Sequence, residues 1–246
     1  MQTIHSTSTH QGQPTLEYGT PLADASCAVV LLHGRGATAQ GMLALADRFS
    51  QPDVAFLAPQ AAQRTWYPQS FLAPQHENEP ALSSALQSVG STLTRVQTVG
   101  LPLSRVVLVG FSQGACLALE YVARHPQRYG GVIGFSGGLI GPPDDPLAYE
   151  GNLRQTPVLL GCSDQDPHIP LERVHDTAAA MSTMQAAVNT RIYPGMGHTI
   201  NNDELRAARE RITQVAASAP VLAGPVRLHS TRKQVAMNGS RNGSRR

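Results

Sequence analysis

Five short apolar runs punctuate this chain, and their spacing leaves few folds open. They are Ala28–Leu32, Val54–Ala58, Arg105–Val109, Gly131–Phe135 and Pro157–Gly161. A strand with one wet face alternates apolar and polar residues. A strand covered on both faces is apolar throughout, as these runs are. A weaker, half-polar run at Asn189–Tyr193 suits an edge or near-edge position. Between the runs lie helical patterns over about 39–49, 80–98, 113–125, 171–184 and 203–217. In the last of these, Asn202 or Asp203 is available as N-cap, and Leu205, Ala208, Ile212 and Val215 recur at helical spacing. Repeated strand–helix alternation predicts an open α/β fold, a mostly parallel sheet with helices on both faces.

With 246 residues the chain can bury a substantial core in one domain. Residues 1–14 are polar and expected to be loose, 15–219 form the domain, and 220–246 are too polar and repetitive to offset ordering, which predicts disorder. The net charge of +2 belongs to that tail. Residues 227–246 hold Arg227, Arg232, Lys233, Arg241, Arg245 and Arg246 and no acid, so the remainder is net negative. A nucleic-acid-binding domain carries its basic face on the fold itself, so nucleic acid is not an expected partner. No run of 18 apolar residues suggests a membrane span, and no amphipathic helix accompanies the basic tail, so no stable membrane association is expected. The first residues lack a basic n-region and an apolar h-region, which predicts no secretory signal and a cytoplasmic location. Cys27, Cys116 and Cys162 form no C-x-x-C pair. They read as small buried hydrophobes, with neither a disulfide framework nor a metal site expected. Oligomeric state is not legible, a homodimer being allowed.

Chemistry enters at Gly110-Phe111-Ser112-Gln113-Gly114, a G-x-S-x-G motif between the strand at 105–109 and the helix at 113–125. A chain reversing sharply from strand to helix needs small flanking residues, and it lifts the Ser112 hydroxyl above the sheet, over a helix N-terminus with free N–H groups. Ser136, in Phe135-Ser136-Gly137-Gly138 after the next run, is a weaker rival.

A serine hydroxyl attacks only when a base takes its proton and a third group orients that base. His198, in the Gly-rich loop Tyr193-Pro-Gly-Met-Gly-His198 after the 189–193 run, is the candidate base. His5, His10 and His229 fall in expected tails, and His76, His125 and His175 lie in or beside polar helical stretches. The loop after the run at 157–161 offers two acids, Asp164 and Asp166. Asp166 precedes Pro167, which stiffens the loop, whereas Asp164 could cap the turn through its own side chain. The pattern alone favours Asp166 without excluding Asp164. His33-Gly34-Arg35-Gly36 follows the first run and is similar to loops that lend a backbone N–H to an oxyanion hole, with Gln113, after the nucleophile, as the second donor. His33 itself suits a structural hydrogen bonder.

Taken together, Leu31-Leu-His-Gly-Arg-Gly-Ala, Ala58-Pro-Gln, Trp66-Tyr67, Gly110-Phe-Ser-Gln-Gly-Ala, Phe135-Ser-Gly, Asp166-Pro-His-Ile-Pro and Gly195-Met-Gly-His resemble the phospholipase/carboxylesterase family of α/β-hydrolases, which includes acyl-protein thioesterases. The resemblance implies a single-domain α/β-hydrolase fold. It also implies Ser112, Asp166 and His198 as the triad, and the backbone N–H groups of Arg35 and Gln113 as the oxyanion hole. Arg35 stands where thioesterase members often carry Leu, and the stretch from Arg64 to Pro80 is more like a bacterial esterase subgroup.

The expected activity is serine carboxylesterase hydrolysis of small to medium acyl esters through an acyl-enzyme, without metal or cofactor. Trp66, Tyr67, Phe71 and Leu72, clustered in a Pro-bounded loop of a chain only 5% aromatic, are expected to wall an apolar acyl pocket. Alternatives on the same fold are a phospholipase, a thioesterase, a lactone-type hydrolase (usually Cys at the elbow) and an inactive binding module.

Overall fold

The structure is a computed structural model, described here for residues 10–49 and 51–218. The expectations for His5, His229 and the tail at 220–246 therefore lie outside the described residues. Seven strands form one sheet: β1 (Thr15–Gly19), β2 (Cys27–Leu32), β3 (Val54–Pro59), β4 (Val106–Phe111), β5 (Gly131–Phe135), β6 (Pro157–Ser163) and β7 (Ala187–Tyr193). Their spatial order is β1-β3-β2-β4-β5-β6-β7. All pairs are parallel except β1 with β3. The six helices are α1 (Ala39–Phe49), α2 (Gln75–Asn78), α3 (Ala81–Thr98), α4 (Gln113–Arg124), α5 (Leu171–Thr183) and α6 (Asn202–Ala217).

The continuous apolarity of β2 is explained by two cores, one on each face of the sheet. Cys27, Val29 and Leu31 enter a core shared with α1 and α6, while Ala28, Val30 and Leu32 enter the other, shared with α3, α4 and α5. No β2 residue is exposed, so neither face could tolerate a polar side chain without a buried partner. None of the described helices is long and apolar enough to cross a membrane. All three cysteines are free and buried.

Three expectations need correction. β1 was not anticipated. Its residues are mostly exposed, and it is held by backbone pairing to β3, which composition does not encode. Residues 10–14 are not simply loose. His10 is 2% exposed, its Nε2 lies 2.8 Å from the Trp66 carbonyl, and its Nδ1 accepts the Ala62 N–H. The N-cap of α6 is Asn201, not Asn202 or Asp203. Its side chain accepts from Asp203 and Glu204, and Glu204 accepts the Asn201 N–H in return, completing a capping box.

Candidate active site

The candidate residues lie in loops at the C-terminal ends of β2, β4, β6 and β7, the edge where parallel sheets bind ligands. The turn from β4 into α4 is tight enough to dictate its glycines. A Cβ on Gly110 would fall on the Gly114 carbonyl, and a Cβ on Gly114 on the Leu32 carbonyl. Ser112, between them, is held at φ 55°, ψ −123°. Its N–H donates to the Phe135 carbonyl at 2.9 Å, and its own carbonyl accepts from Cys116 at 3.0 Å. A non-glycine residue in such a conformation costs on the order of 1–3 kcal/mol and persists only where its surroundings enforce it.

The His198 Nε2 lies 2.9 Å from Ser112 Oγ, and its Nδ1 lies 2.7 Å from Asp166 Oδ2. The second Asp166 oxygen accepts the N–H groups of His168 and Ile169 at 2.9 and 3.1 Å. Burial alone would raise the Asp166 pKa. The His198 hydrogen bond and the His168 N–H outweigh it, and the carboxyl sits below its ordinary value. The His198 ring is flanked by Phe111, with ring centres 4.9 Å apart, and meets His168 edge-on at 4.7 Å. Asp164 does not reach the imidazole network. Its Oδ1 accepts the Gly195 N–H at 2.8 Å and ties the acid loop to the His198 loop. Ser136, flanked by Gly134 and Gly138 in a second G-x-S-x-G, shares the positive φ of Ser112, at 50°, so the sharp turn occurs there too. Its side chain is wholly buried and hydrogen-bonds no base, which removes it as a nucleophile.

A cavity of about 540 Å³ opens beside Ser112. Arg35, Tyr67, Phe71, Gln113, His168 and His198 are in its wall. The backbone N–H groups of Arg35 and Gln113 take no partner among the described residues. Two expectations fail here. Trp66 does not line the cavity: it is fully buried beneath the loop and its indole N–H donates to the His33 carbonyl at 2.8 Å. Leu72 is half-buried against the core and is also absent from the wall. Apolar composition placed both side chains out of water, but not on which side of the loop. Of the four residues, Tyr67 and Phe71 do reach the cavity.

The side chain of Gln113 was not anticipated. Its Oε1 accepts the Trp66 N–H at 2.9 Å and its Nε2 donates to the Tyr67 carbonyl at 2.8 Å, so the residue after Ser112 also pins the cavity loop. The Arg35 guanidinium donates to the Pro68 and Gln69 carbonyls at 2.8 and 2.5 Å, bracing the same loop from the opposite side. His33 is buried and structural, as expected, with Nε2 accepting the Ala61 N–H at 3.1 Å. Among the described residues no group of three His, Cys, Asp or Glu is arranged to hold a metal.

Below the acid loop, Glu204 is fully buried against Gly161, and its Oε1 has no partner. Burial pushes its carboxyl from an ordinary 4.5 up to about 7, with the Asn201 N–H opposing the shift and Asp203 adding to it. The unfolded chain therefore ionises Glu204 at lower pH than the folded one, and stability falls as pH rises from about 4.5 to about 7. Glu204→Gln keeps the capping acceptor and removes that slope. Thermal melts should show the variant gaining on the wild type between pH 5 and pH 8. An unchanged difference at the two pH values would contradict the assignment.

The family model described as Phospholipase/Carboxylesterase matches residues 20–216. Acyl-protein thioesterase 1 of Gibberella zeae is 34% identical over 101 residues, 40% of this chain and 43% of that protein. A probable carboxylesterase, SOBER1-like, of Arabidopsis thaliana is 30% identical over 132 residues, 53% of this chain and 50% of that protein. The chain thus spans half or less of these two relatives. The crystal structure of a phospholipase/carboxylesterase from Dyadobacter fermentans superposes with a TM-score of 0.79 at 42% identity, covering 83% of this chain and 98% of that one.

Proposed function

Because the chain belongs to the phospholipase/carboxylesterase family, we propose that it is a serine carboxylesterase acting on small to medium acyl esters through an acyl-enzyme. The observation that carries the reading is the unbroken chain of hydrogen bonds from Ser112 through His198 to Asp166, beside a cavity.

With Nδ1–H donated to the charged Asp166, the lone pair of His198 Nε2 faces Ser112 Oγ and accepts its proton as Oγ attacks the ester carbonyl. The tetrahedral oxyanion is held by the N–H groups of Arg35 and Gln113, which have no other demand on them. One such donor is worth about 10²–10³ in rate, because it is in place before the charge develops. The imidazolium then protonates the departing alkoxide. Water then gives a proton to His198 as its oxygen attacks the acyl carbon, and the imidazolium returns that proton to Ser112 Oγ as the acyl–Oγ bond breaks and the acid leaves. The braces from Gln113 and Arg35 keep the cavity loop, and with it both oxyanion donors, in register with the nucleophile.

A second reading, thioester hydrolysis, is favoured by the thioesterase among the relatives and uses the same steps with a thiolate leaving group. A fluorophosphonate probe tests the common premise. It should label the protein covalently and map by peptide sequencing to Ser112, and a matched ester and thioester series of rising acyl length should rank the two substrates. Labelling elsewhere, or none, would remove the proposal.

A further inference from the structure

The mechanism gives no part to a buried hydroxyl in the cavity wall, that of Tyr67. Tyr67 and Cys116 both line the cavity, and Cys116 lies one helical turn beyond Ser112. Tyr67 is 1% exposed, and its buried hydroxyl makes no well-formed hydrogen bond, its polar neighbour being the Cys116 thiol. The thiol beside it is no ionic acceptor, since burial pushes Cys116 up to about 12 and keeps it protonated. Burial likewise holds the Tyr67 phenol well above its ordinary value, so it remains an O–H donor. Leaving a buried hydroxyl unsatisfied is costly, whereas a phenylalanine would fill the same space without that cost. The other unpartnered buried side-chain groups, on Gln51, Ser136, Glu204 and Arg211, do not line this cavity. Two other polar side chains in the wall are already engaged: Gln113 with Trp66 and Tyr67, and Arg35 with Pro68 and Gln69. The carbonyl of Tyr67 is held by Gln113, so the backbone that carries the ring is fixed in advance of binding.

We propose that the Tyr67 hydroxyl is a specificity-determining donor in the acyl half of the site, selecting acyl groups that carry an oxygen acceptor a few atoms from the scissile carbonyl. The inference rests on the esterase reading above and names the substrate class of that site. An all-carbon acyl chain leaves the hydroxyl unsatisfied. An ether, keto or hydroxyl oxygen at the right depth accepts its proton and exchanges one solvent hydrogen bond for one inside the protein.

The test uses 4-nitrophenyl esters in isosteric pairs, hexanoate against 4-methoxybutanoate and pentanoate against 3-methoxypropanoate, so that only the position of one oxygen changes. Ratios of kcat/KM are divided by the corresponding ratios for hydroxide, which removes inherent reactivity. For the wild type, one of the two ether esters should be favoured on the order of tenfold, the worth of one well-placed hydrogen bond. Tyr67→Phe should return that ratio to the hydroxide value, and its melting temperature should not fall, because the hydroxyl lost meets only a thiol, a weak acceptor. A wild-type ratio at the hydroxide value for both pairs, or a preference that survives in Tyr67→Phe, would overturn the inference while leaving the esterase reading intact. So would a clear drop in melting temperature, which would reveal a protein partner for the hydroxyl. Failure of the wild type to hydrolyse any of the four esters would instead remove the esterase reading and the inference with it.

Discussion

Ser112→Ala should lower kcat on an activated aryl ester by on the order of 10⁵–10⁶ while the protein stays folded. The expectation follows from how separable the hydroxyl is from the turn that carries it. The Ser112 N–H and carbonyl are bonded to Phe135 and Cys116, and neither bond involves the side chain. Alanine therefore keeps the elbow and its strained φ of 55°, and loses only the atom that attacks. What remains is binding and the two oxyanion donors, which still act on water but without a covalent intermediate. Ser112→Gly makes a useful companion. It is equally inactive, yet it reaches this backbone conformation without steric cost, and should gain about 1 kcal/mol of stability after glycine's larger unfolded-state entropy is subtracted. Stopped assays on the purified variants, with thermal melts alongside, check both. Turnover by Ser112→Ala within tenfold of the wild type would mean that another group performs the attack.

The same turn explains why the site could be found from the amino-acid sequence. At Gly110 and Gly114 a side chain would collide with backbone carbonyls, so local sterics leave a direct mark in the residues. The strand cores are marked in a similar way, because a face buried on both sides excludes polar side chains. Asp166 and His198 were legible because each closes a short loop after a recognisable strand. Other features depend on partners distant in the chain and leave no local mark. His10 meets Trp66 and Ala62 across more than fifty positions, and nothing in its polar surroundings signals burial. β1 depends on backbone pairing with β3. Trp66 and Tyr67 are adjacent and equally buried, yet only Tyr67 lines the cavity. Which side of a loop a ring occupies is decided by tertiary contacts such as the indole bond to His33.

Asp166→Asn should lower kcat by about 10⁴ through a change of tautomer, with the geometry retained. In the wild type, one Asp166 oxygen accepts from His198 and the other accepts two backbone N–H groups, from His168 and Ile169. An amide has one oxygen to offer. With that oxygen kept on the two N–H groups, the NH₂ group faces His198 and donates to Nδ1, which must then be unprotonated. The neutral ring carries its proton on Nε2 instead, pointing at Ser112 Oγ, so the base presents a donor where a lone pair is required. The flipped amide sets NH₂ against two N–H donors in a fully buried position, an arrangement costing about 1–3 kcal/mol for each donor left unmatched. The flip therefore does not rescue the base. Nitrogen chemical shifts of the His198 ring at neutral pH should report Nδ1–H in the wild type and Nε2–H in the variant. Asp164→Asn is the matched control: its remaining oxygen can still accept the Gly195 N–H, and both the ring tautomer and most of the activity should survive. If Asp164→Asn were the more damaging substitution, or if Asp166→Asn left the tautomer unchanged, the orienting role would belong to the other acid.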